Sequence, residues 1–569
     1  MQLRIPCAIA IAGFLGTLTA CPKDQKSDPD ATPATASAAA STAIVPKGSV
    51  TVSIAYGSEK KTWLEDETKK FLATSPMTPS GKTIKIELKA LGSGEAISGI
   101  QDGSLKPTVF SPASAAYLKL LNDQWLQTAG HTKPIAATNG DPLVMSPVVI
   151  AMWKPMAEAL GWPAKSISWR DLLKVGADPK GWGSKGFPEW GRFKYGHCSP
   201  QYSNSGFLAV LAESYAGAKK TRDLTAADLD AKTTQDFLRD VEGTIIYYGK
   251  STGFFGDKMV ERGPKFLSAA VLYENLVIES YSKKPELPLV AVYPSEGTFW
   301  ADHPFAILDA PWVDADAKAG AQAFNDFLRK KPAQTDAMAL GFRPGDASIA
   351  IAAPIDEAHG VDPKQPQTVL PLPDGSVLAK LVPIWEQTKK GADVIFVFDK
   401  SGSMLGDPLK SAKDGAKSFI DHLSDRDQVT LMFFDGTVYP PVGPLKIGTD
   451  KAKLESRIDG VDASGGTALY DAISQAFDIA MARATKDPAQ IHAVVVMTDG
   501  RDESSKLMLA PLEAKFPKEE APVKVFTIAY GNQAESKVLT EIADSARGSS
   551  AKGSTETIKT VYEDMASFF

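Results

Sequence analysis

Cysteine and histidine are both scarce in this sequence of 569 residues, which contains three cysteines and six histidines. Cys7 and Cys21 lie close to the N-terminus, so Cys198 is the single thiol in the rest of the chain and an internal disulfide there is excluded. The histidines lack the spacing of zinc ligands, which argues against a catalytic zinc site; they are His131, His197, His303, His359, His422 and His492.

Basic residues do not outnumber acidic ones. The chain contains 62 Lys and Arg residues and 68 Asp and Glu residues, so its formal net charge is −6. This charge argues against a nucleic acid as a partner. No apolar run reaches the roughly 18 residues that a membrane-spanning helix needs. Gly81-Lys82-Thr83 ends like a P-loop, but Pro76 stands where its first glycine belongs, and no G-x-S-x-G motif occurs. We therefore expect a protein that is not an enzyme.

A short apolar segment, Ala8–Leu18, follows Arg4 and precedes small residues, which is typical of a secretory signal. Leu18-Thr19-Ala20-Cys21 resembles a bacterial lipobox, in which the cysteine becomes the lipidated first residue. We therefore predict a lipoprotein signal peptide over residues 1–21 with lipidation at Cys21; the alternative is a soluble secreted protein in which Cys21 has no role. Residues 22–48 are rich in Ala, Ser, Thr, Pro and Asp, and we expect a disordered tether there.

Hydroxyl and carboxylate side chains follow the ends of several predicted strands in the last third of the chain. The first of these strands is Val394–Phe398, and the loops after parallel strands meet at one edge of a sheet. Short Ser/Asp/Gly runs also make ordinary turns and helix caps, so the run Asp399–Ser403 alone is a weak signal of a metal site. The complete set contains only oxygen ligands, which favours Mg²⁺ or Mn²⁺: Asp399, Ser401, Ser403, Thr467 and Asp499.

Short apolar strands alternate with helical stretches from residue 391 to residue 569, which indicates a doubly wound, mainly parallel α/β sheet. The D-x-S-x-S, T and D pattern resembles the metal-ion-dependent adhesion site (MIDAS) of von Willebrand factor type A domains. The resemblance implies a Rossmann-like domain over 391–569 whose ion is completed by an acidic side chain of a partner protein. Lys400 is a departure, because the family often has an apolar residue there, and we interpret it as a solvated side chain.

Residues 49–360 show a second βα rhythm. Val50–Tyr56, Thr83–Leu88, Thr108–Ser111 and Leu143–Trp153 are predicted strands. The series resembles the periplasmic solute-binding fold, in which two α/β lobes close on a ligand. Ser203–Gly206 resembles the family's helix start that points backbone donors into the cleft. The resemblance places contacts to a small polar or anionic solute at four serines, although a helix cap is the simpler explanation of each one alone: Ser58, Ser93, Ser111 and Ser205.

A linker over 361–390 joins the two modules. Its second part, Gly375–Lys390, is predicted to be a helix, and either a packed or a flexible connection is consistent with the sequence. We expect Cys198 to be buried or near the cleft, and we expect His197 to be a loop histidine rather than a ligand contact.

Together these patterns predict a lipid-anchored bacterial envelope protein on the periplasmic or outer face of a membrane. Its main expected activity is to bind a partner protein through the metal site, while the solute-binding-like module takes a small polar or anionic ligand. The alternative is a substrate-binding component of an ABC-type transport system. A metal-dependent hydrolase is the third and least favoured reading, because no histidine or other base is apparent near Asp399.

Overall fold

The computed structural model describes residues 47–128, 130–517, 522–531, 533–566 and 568–569. These residues form one compact unit. Within them, no helix has both the length and the apolar character needed to cross a bilayer. The predicted signal peptide, Cys21 and almost all of the predicted tether lie outside the described residues, so those interpretations stay predictions.

The N-terminal module alternates strands and helices throughout. Its strands are β1 (Ser49–Gly57), β2 (Thr83–Leu91), β3 (Val109–Ser111), β4 (Val144–Trp153), β5 (Tyr195–Cys198), β6 (Ile245–Gly249), β7 (Ala269–Tyr273), β8 (Leu289–Val292), β9 (Trp300–Ala301), β10 (Ala306–Ile307) and β11 (Arg343–Pro344). Its helices are α1 (Lys61–Ala73), α2 (Ser93–Asp102), α3 (Ala116–Gln127), α4 (Lys154–Ala159), α5 (Trp169–Ala177), α6 (Asn204–Ala218), α7 (Ala226–Asp230), α8 (Lys232–Glu242), α9 (Thr252–Arg262), α10 (Glu274–Ser280), α11 (Ala315–Leu328) and α12 (Lys331–Ala339).

Two sheets divide this module into two lobes. The first lobe has the strand order β10-β3-β1-β2, in which only β10 is antiparallel to its neighbour. The second lobe has the order β11-β4-β7-β5-β6, and β8 and β9 also pair with β4. The chain passes to the second lobe after α3 and returns between β9 and β10. The predicted two-lobed α/β architecture is confirmed.

The linker helix α13 (Gly375–Thr388) packs against α6, α7 and α8 of the second lobe. Val377, Leu381, Ile384 and Trp385 are buried along one side of it, at the i, i+4, i+7 spacing of an amphipathic helix. The Trp385 ring meets Tyr248 edge to face at 5.4 Å between centroids. Of the two connections that the sequence allowed, the structure has the packed one.

The C-terminal domain has its own sheet, in the order β14-β13-β12-β15-β16-β17. The strands are β12 (Ala392–Asp399), β13 (Gln428–Phe434), β14 (Val442–Lys446), β15 (Ile491–Thr498), β16 (Val523–Tyr530) and β17 (Ser550–Gly553). The helices are α14 (Asp407–Asp421), α15 (Ile447–Asp459), α16 (Leu469–Lys486), α17 (Leu509–Glu513), α18 (Ser536–Ser545) and α19 (Ile558–Ala566). All neighbouring strands are parallel except β13 and β14, which confirms the doubly wound prediction.

The central strand β12 explains why this domain has two helical layers. Its side chains are buried on both faces, because alternate residues join different apolar clusters. Val394 and Phe396 belong to the cluster that contains the α14 and α19 side chains, whereas Ile395 and Val397 belong to the cluster that contains those of α16 and α18. A run of apolar residues without polar alternation therefore forms the middle of the sheet and ends in Asp399.

Candidate functional site

Asp399 is fixed at the carboxyl end of β12. Its side chain is fully buried, and Oδ1 accepts a hydrogen bond from the Ser401 backbone N–H at 2.7 Å. Oδ2 accepts a second bond from the Thr498 hydroxyl at 2.5 Å. Each carboxylate oxygen has a further lone pair, so both can still accept from water or bind an ion. Thr498, which sequence reasoning did not single out as a site residue, thus orients Asp399 from the end of the neighbouring strand β15.

Three further predicted ligands lie in one hydrogen-bonded chain. The hydroxyl oxygens of Ser401 and Ser403 are 3.0 Å apart, and the Ser403 hydroxyl donates to Asp499 Oδ1 at 2.7 Å. Asp399 and Asp499 are close enough that the negative charge of Asp499 raises the pKa of Asp399. The structure therefore brings these four side chains together.

Thr467 is brought to the same place by backbone contacts. The Gly402 N–H donates to the Gly465 carbonyl at 3.0 Å, which ties the Thr467 loop to the first one. The N–H groups of Glu503 and Ser504 donate to the Thr467 carbonyl at 2.9 and 3.0 Å. A Cβ placed on Gly500 would lie 3.4 Å from the Thr467 hydroxyl oxygen, so this hydroxyl borders the Asp499 loop.

The charge of the site is uncompensated within the described part of the chain. Burial raises the pKa of Asp399 to about 6, and burial also raises the pKa of Asp499. No Lys or Arg among the described residues lies within ion-pair distance of either carboxylate. Two carboxylates and three hydroxyls without a cationic partner are the donor set of a hard divalent cation, so the residues present fit the metal that the pattern predicts.

Lys400, between the first two ligands, is not solvated as predicted. Its ammonium lies 2.5 Å from Asp435 Oδ2 and 4.5 Å from the centre of the Tyr439 ring, and the side chain is 14% exposed. Asp435 directly follows β13, and the pairing of β13 with β12 brings Asp435 next to Lys400. The prediction of a solvated Lys400 was wrong because this contact joins residues that are distant in the sequence. Asp435 therefore neutralises a cation that would otherwise oppose metal binding.

One side of the site faces solvent. Ser403 is exposed and Asp499 is half-buried, whereas Asp399, Ser401 and Thr467 are buried. Leu405, two residues after Ser403, is 73% exposed, and Met508, in the segment after Asp499, is 70% exposed. A partner approaching the open side would therefore meet both the oxygen ligands and the apolar side chain of Leu405.

The four serines predicted to contact a solute are all buried between or beside the two lobes. Ser93 accepts the Ala113 N–H at 3.1 Å and Ser111 donates to the Pro304 carbonyl at 2.7 Å, so both hydroxyls bond to nearby backbone. Ser58 of the first lobe instead bonds to the Ser251 hydroxyl, and Ser205 accepts from Thr252 at 2.8 Å. The structure thus joins Ser58 and Ser205 through consecutive residues of the second lobe, and leaves Ser93 and Ser111 outside that contact.

The predicted helix start Ser203–Gly206 opens α6, and the two lobes touch each other directly just before it, at the start of α2. The N–H groups of Gly94 and Glu95, at the start of α2, donate to the Tyr202 carbonyl of the second lobe at 2.9 and 3.3 Å. A Cβ on Gly94 would lie 2.0 Å from the Gln201 carbonyl oxygen, so only glycine permits this approach. The cleft is closed by contacts between protein groups.

Cys198 is buried as predicted, whereas its neighbour His197 differs from the prediction. Cys198 is fully buried, and burial raises the pKa of its thiol to about 11, so it is not a reactive thiolate. His197 is a buried strand residue rather than a loop histidine: its Nε2 lies 3.2 Å from Glu242 Oε1 and its Nδ1 lies 2.6 Å from the Cys198 carbonyl. Burial lowers the pKa of His197, but Glu242 outweighs burial and raises it to about 9.

Comparison with protein families matches both modules. Residues 52–343, just over half of the chain, match the bacterial extracellular solute-binding protein family. Residues 393–563 match the von Willebrand factor type A domain. Both families are usually non-enzymatic, and type A domains commonly bind a metal at the MIDAS.

Individual relatives resemble one module at a time. The magnesium-chelatase 67 kDa subunit of Chlorobaculum parvum is 34% identical over 149 residues, which cover 26% of this chain and 24% of that subunit; the chain thus spans about a quarter of that relative's length. A periplasmic thiamin binding protein superposes with a TM-score of 0.43 and 12% identity, over 60% of this chain and 96% of that one. Proximal thread matrix protein 1 from the mussel byssus, solved with a zinc-occupied MIDAS motif, gives a TM-score of 0.27 and 20% identity, over 34% of this chain and 52% of that one.

The family matches agree with the two sheets, the closed pair of lobes and the loop cluster around Asp399. The chain belongs to the bacterial extracellular solute-binding protein family and carries a von Willebrand factor type A domain at its C-terminal end.

Proposed function

We propose that this protein binds a partner protein at the bacterial cell envelope through an acidic side chain that meets the loop cluster of Asp399, Ser401, Ser403, Thr467 and Asp499. The observation that supports the proposal most directly is that two carboxylates lack a cationic partner among the described residues, in a cluster that is open to solvent on the side of Ser403 and Asp499. A bound Mg²⁺ or Mn²⁺ would supply an electrophilic position for the partner's Asp or Glu.

The chain's own residues have two tasks in this binding. Thr498 and the Ser401 N–H hold Asp399 in one orientation, so the ligand set is formed before the partner arrives. Leu405 offers apolar contact area beside the oxygen ligands, which favours a protein partner over a free carboxylic acid. The partner is therefore expected to present an Asp or Glu flanked by apolar residues.

The proposed location is the cell envelope. The extracellular solute-binding family supports a periplasmic or envelope site of action. Lipidation at Cys21 and a tether over 22–48 would hold the folded part near a membrane without spanning it.

Partner capture should depend on the metal and on Asp499. In a crosslinking pull-down from membranes, wild type is expected to recover partners that EDTA-treated wild type and Asp499→Ala do not. The reason is that each change removes a component of the charge contact while the apolar core of the domain is untouched. The matched control is Asp414→Ala on α14, whose carboxylate is exposed and pairs with Lys417 at 3.5 Å. Recovery of the same partners in all samples would mean that the metal has only a structural role.

A second candidate function is transport-type binding of a small polar solute, with the protein acting as the substrate-binding component of an ABC-type system. The buried hydroxyls between the lobes favour it, because Ser203, Ser205 and Thr252 form one hydrogen-bonded group. Entry of a solute requires the lobes to separate, since the Tyr202 carbonyl caps the α2 start that would receive an anion.

A solute that binds in this cleft should raise the melting temperature, because it binds the folded state. It should also change the tryptophan fluorescence, because it replaces contacts between the lobes and all ten tryptophans precede residue 390. The measurement is a screen of oxyanions, sugars, amino acids and vitamins by both signals. Gly94→Ala, which blocks lobe closure by steric overlap with Gln201, is expected to abolish any response. A panel without any response would count against transport and leave the cleft as a structural joint.

A further inference from the structure

A cavity of about 1850 Å³ lies between the second lobe of the N-terminal module and the C-terminal domain. The second lobe contributes residues around β6 and α9, and the C-terminal domain contributes residues around β16, α18 and β17. Among the described residues that line it, eleven are Lys or Arg and four are Asp or Glu. Since the whole chain carries a net charge of −6, positive charge is concentrated in this one place.

At least four cations of the cavity lining pair with carboxylates, and several others do not within the described part of the chain. Glu261 pairs with Lys258 at 2.9 Å and Asp544 pairs with Arg262 at 3.5 Å. Arg239 pairs with Asp236 at 2.6 Å, and Lys389 lies 3.8 Å from Glu386. In the residues that the structure describes, no carboxylate lies within ion-pair distance of five lining cations: Arg192, Lys265, Lys390, Arg426 and Lys524. Arg192 is exposed in the cavity wall and has no carboxylate within ion-pair distance among the described residues.

Two lysines of the C-terminal part are held by neutral groups only. The Lys390 ammonium donates to the Ile245 carbonyl at 3.3 Å, and the Lys524 ammonium donates to the neighbouring Ile246 carbonyl. Burial lowers the pKa of Lys524 to about 7, and the nearby cations Lys390, Lys194 and Arg262 add to this effect. Burial and the charge of Arg192 likewise lower the pKa of Lys390. The cations of the cavity therefore repel one another in the unliganded protein.

We propose that this cavity is a binding site for a soluble, multiply phosphorylated anion that bridges the solute-binding module and the von Willebrand type A domain. The five lining cations without a carboxylate partner in the described chain are neutralised more fully by a ligand with several negative charges than by a monoanion. Arginines such as Arg192 and Arg262 match phosphate oxygens with paired N–H donors. Lys524 is half-buried, so a ligand must enter the cavity to reach it, which favours a free molecule over a flat membrane surface.

The proposal is tested by calorimetric titration of the full chain with sodium tripolyphosphate, at low ionic strength and in EDTA. EDTA removes divalent metal, so the phosphate probe cannot act through the Asp399 site. We expect one saturable site whose affinity falls as salt is added, and much weaker binding of orthophosphate. Asp399→Asn should bind tripolyphosphate like wild type. A failure of the phosphate-binding proposal can therefore be distinguished from a failure of the partner-binding proposal.

Two variants locate the site within the cavity. Arg192→Gln and Lys524→Met should each weaken tripolyphosphate binding about tenfold or more, the usual consequence of losing a charge-assisted contact. Lys524→Met should also raise the melting temperature of the unliganded protein, because it removes a half-buried cation that its neighbours repel. The matched control is Lys69→Met on α1, whose side chain is 75% exposed and far from the cavity in sequence and fold.

Proton uptake provides a separate readout. At pH 8 Lys524 is mostly uncharged in the free protein, since its pKa is about 7, and a bound anion should raise that pKa. Binding enthalpies measured in buffers of different ionisation enthalpy should reveal uptake of up to about one proton by wild type and less by Lys524→Met. Equal affinities for wild type, Arg192→Gln and Lys524→Met, or the lack of saturable binding, would overturn the proposal. So would an acidic peptide that binds the cavity and is not displaced by tripolyphosphate.

Discussion

Asp399→Asn is expected to abolish stabilisation by Mg²⁺ and to leave a folded, metal-free protein that is more stable than wild type at neutral pH. For wild type, Mg²⁺ at about a hundred times its dissociation constant should add about 2.7 kcal/mol to the free energy of unfolding. The variant should gain nothing, because a neutral amide replaces the most buried ligand of the set. Thermal unfolding of both proteins across a Mg²⁺ series measures the difference.

The gain in metal-free stability follows from the raised pKa of Asp399. Burial raises this pKa from its ordinary value of 3.8 to about 6, so the folded state binds more protons than the unfolded state between those values. The stability of the metal-free protein should therefore fall as pH rises through that window, by at most about 3 kcal/mol. Asp399→Asn should lack this fall, and Mg²⁺ should bind wild type more weakly below about pH 6, where the proton competes.

Asp414→Asn, at an exposed position of the same domain, is the matched control and should respond to Mg²⁺ like wild type. A variant at Asp399 that is still stabilised by Mg²⁺ to the same extent would show that the ion binds elsewhere. A metal-free Asp399→Asn protein that is less stable than wild type at pH 7 would show that the hydrogen bonds from Ser401 and Thr498 outweigh the cost of burying the carboxylate.

The C-terminal fold was predictable because its signals are local. The apolar run of β12 and the following Asp399 lie in adjacent sequence, and the predicted strand Val394–Phe398 lies within β12. The edge strands β14 and β17 have weaker sequence signals, because β14 contains Gly443 and Pro444 and β17 is short and largely polar. The oxygen ligands themselves remain predictions of the pattern, although the structure brings them together.

Contacts between distant segments could not be predicted from one sequence. Nothing near Lys400 indicates that Asp435 will neutralise it, and nothing near Tyr202 indicates that its carbonyl will cap α2. The cationic cavity is the clearest case, because Arg192, Lys390 and Lys524 are spread over three hundred residues and become neighbours only when the linker helix packs on the second lobe. The composition indicates a slightly acidic chain and gives no sign that positive charge is concentrated in one cavity.

Glu59→Gln is expected to destabilise the N-terminal module by about 3–5 kcal/mol, the usual cost of breaking a buried ion pair by removing one partner. Glu59 and Lys60 are both buried, and the Lys60 ammonium donates to Glu59 Oε1 at 2.9 Å. Nδ1 of His303, which lies where the chain returns to the first lobe, is 3.2 Å from both groups. Burial alone would raise the pKa of Glu59, but Lys60 and His303 outweigh burial and lower it to about 2.

The pH dependence has the sign of a depressed carboxyl pKa. The contribution of Glu59 to stability should be fully present above its ordinary pKa of 4.5 and should be lost as pH falls towards 2. Glu59→Gln should remove that acid-dependent loss. Guanidinium unfolding followed by tryptophan fluorescence, repeated between pH 7 and pH 3, measures both effects.

The double variant Glu59→Gln/Lys60→Met tests whether charge pairing or side-chain packing at this position stabilises the N-terminal module. Each single change leaves one buried charge without its partner, whereas the double change leaves none, so we expect it to recover most of the lost stability. The control is Lys69→Met, which breaks an ion pair with Asp66 whose side chains are 75% and 55% exposed, and should have little effect on stability. A double variant as unstable as Glu59→Gln alone would mean that packing around His303, rather than charge pairing, holds the junction between the lobes.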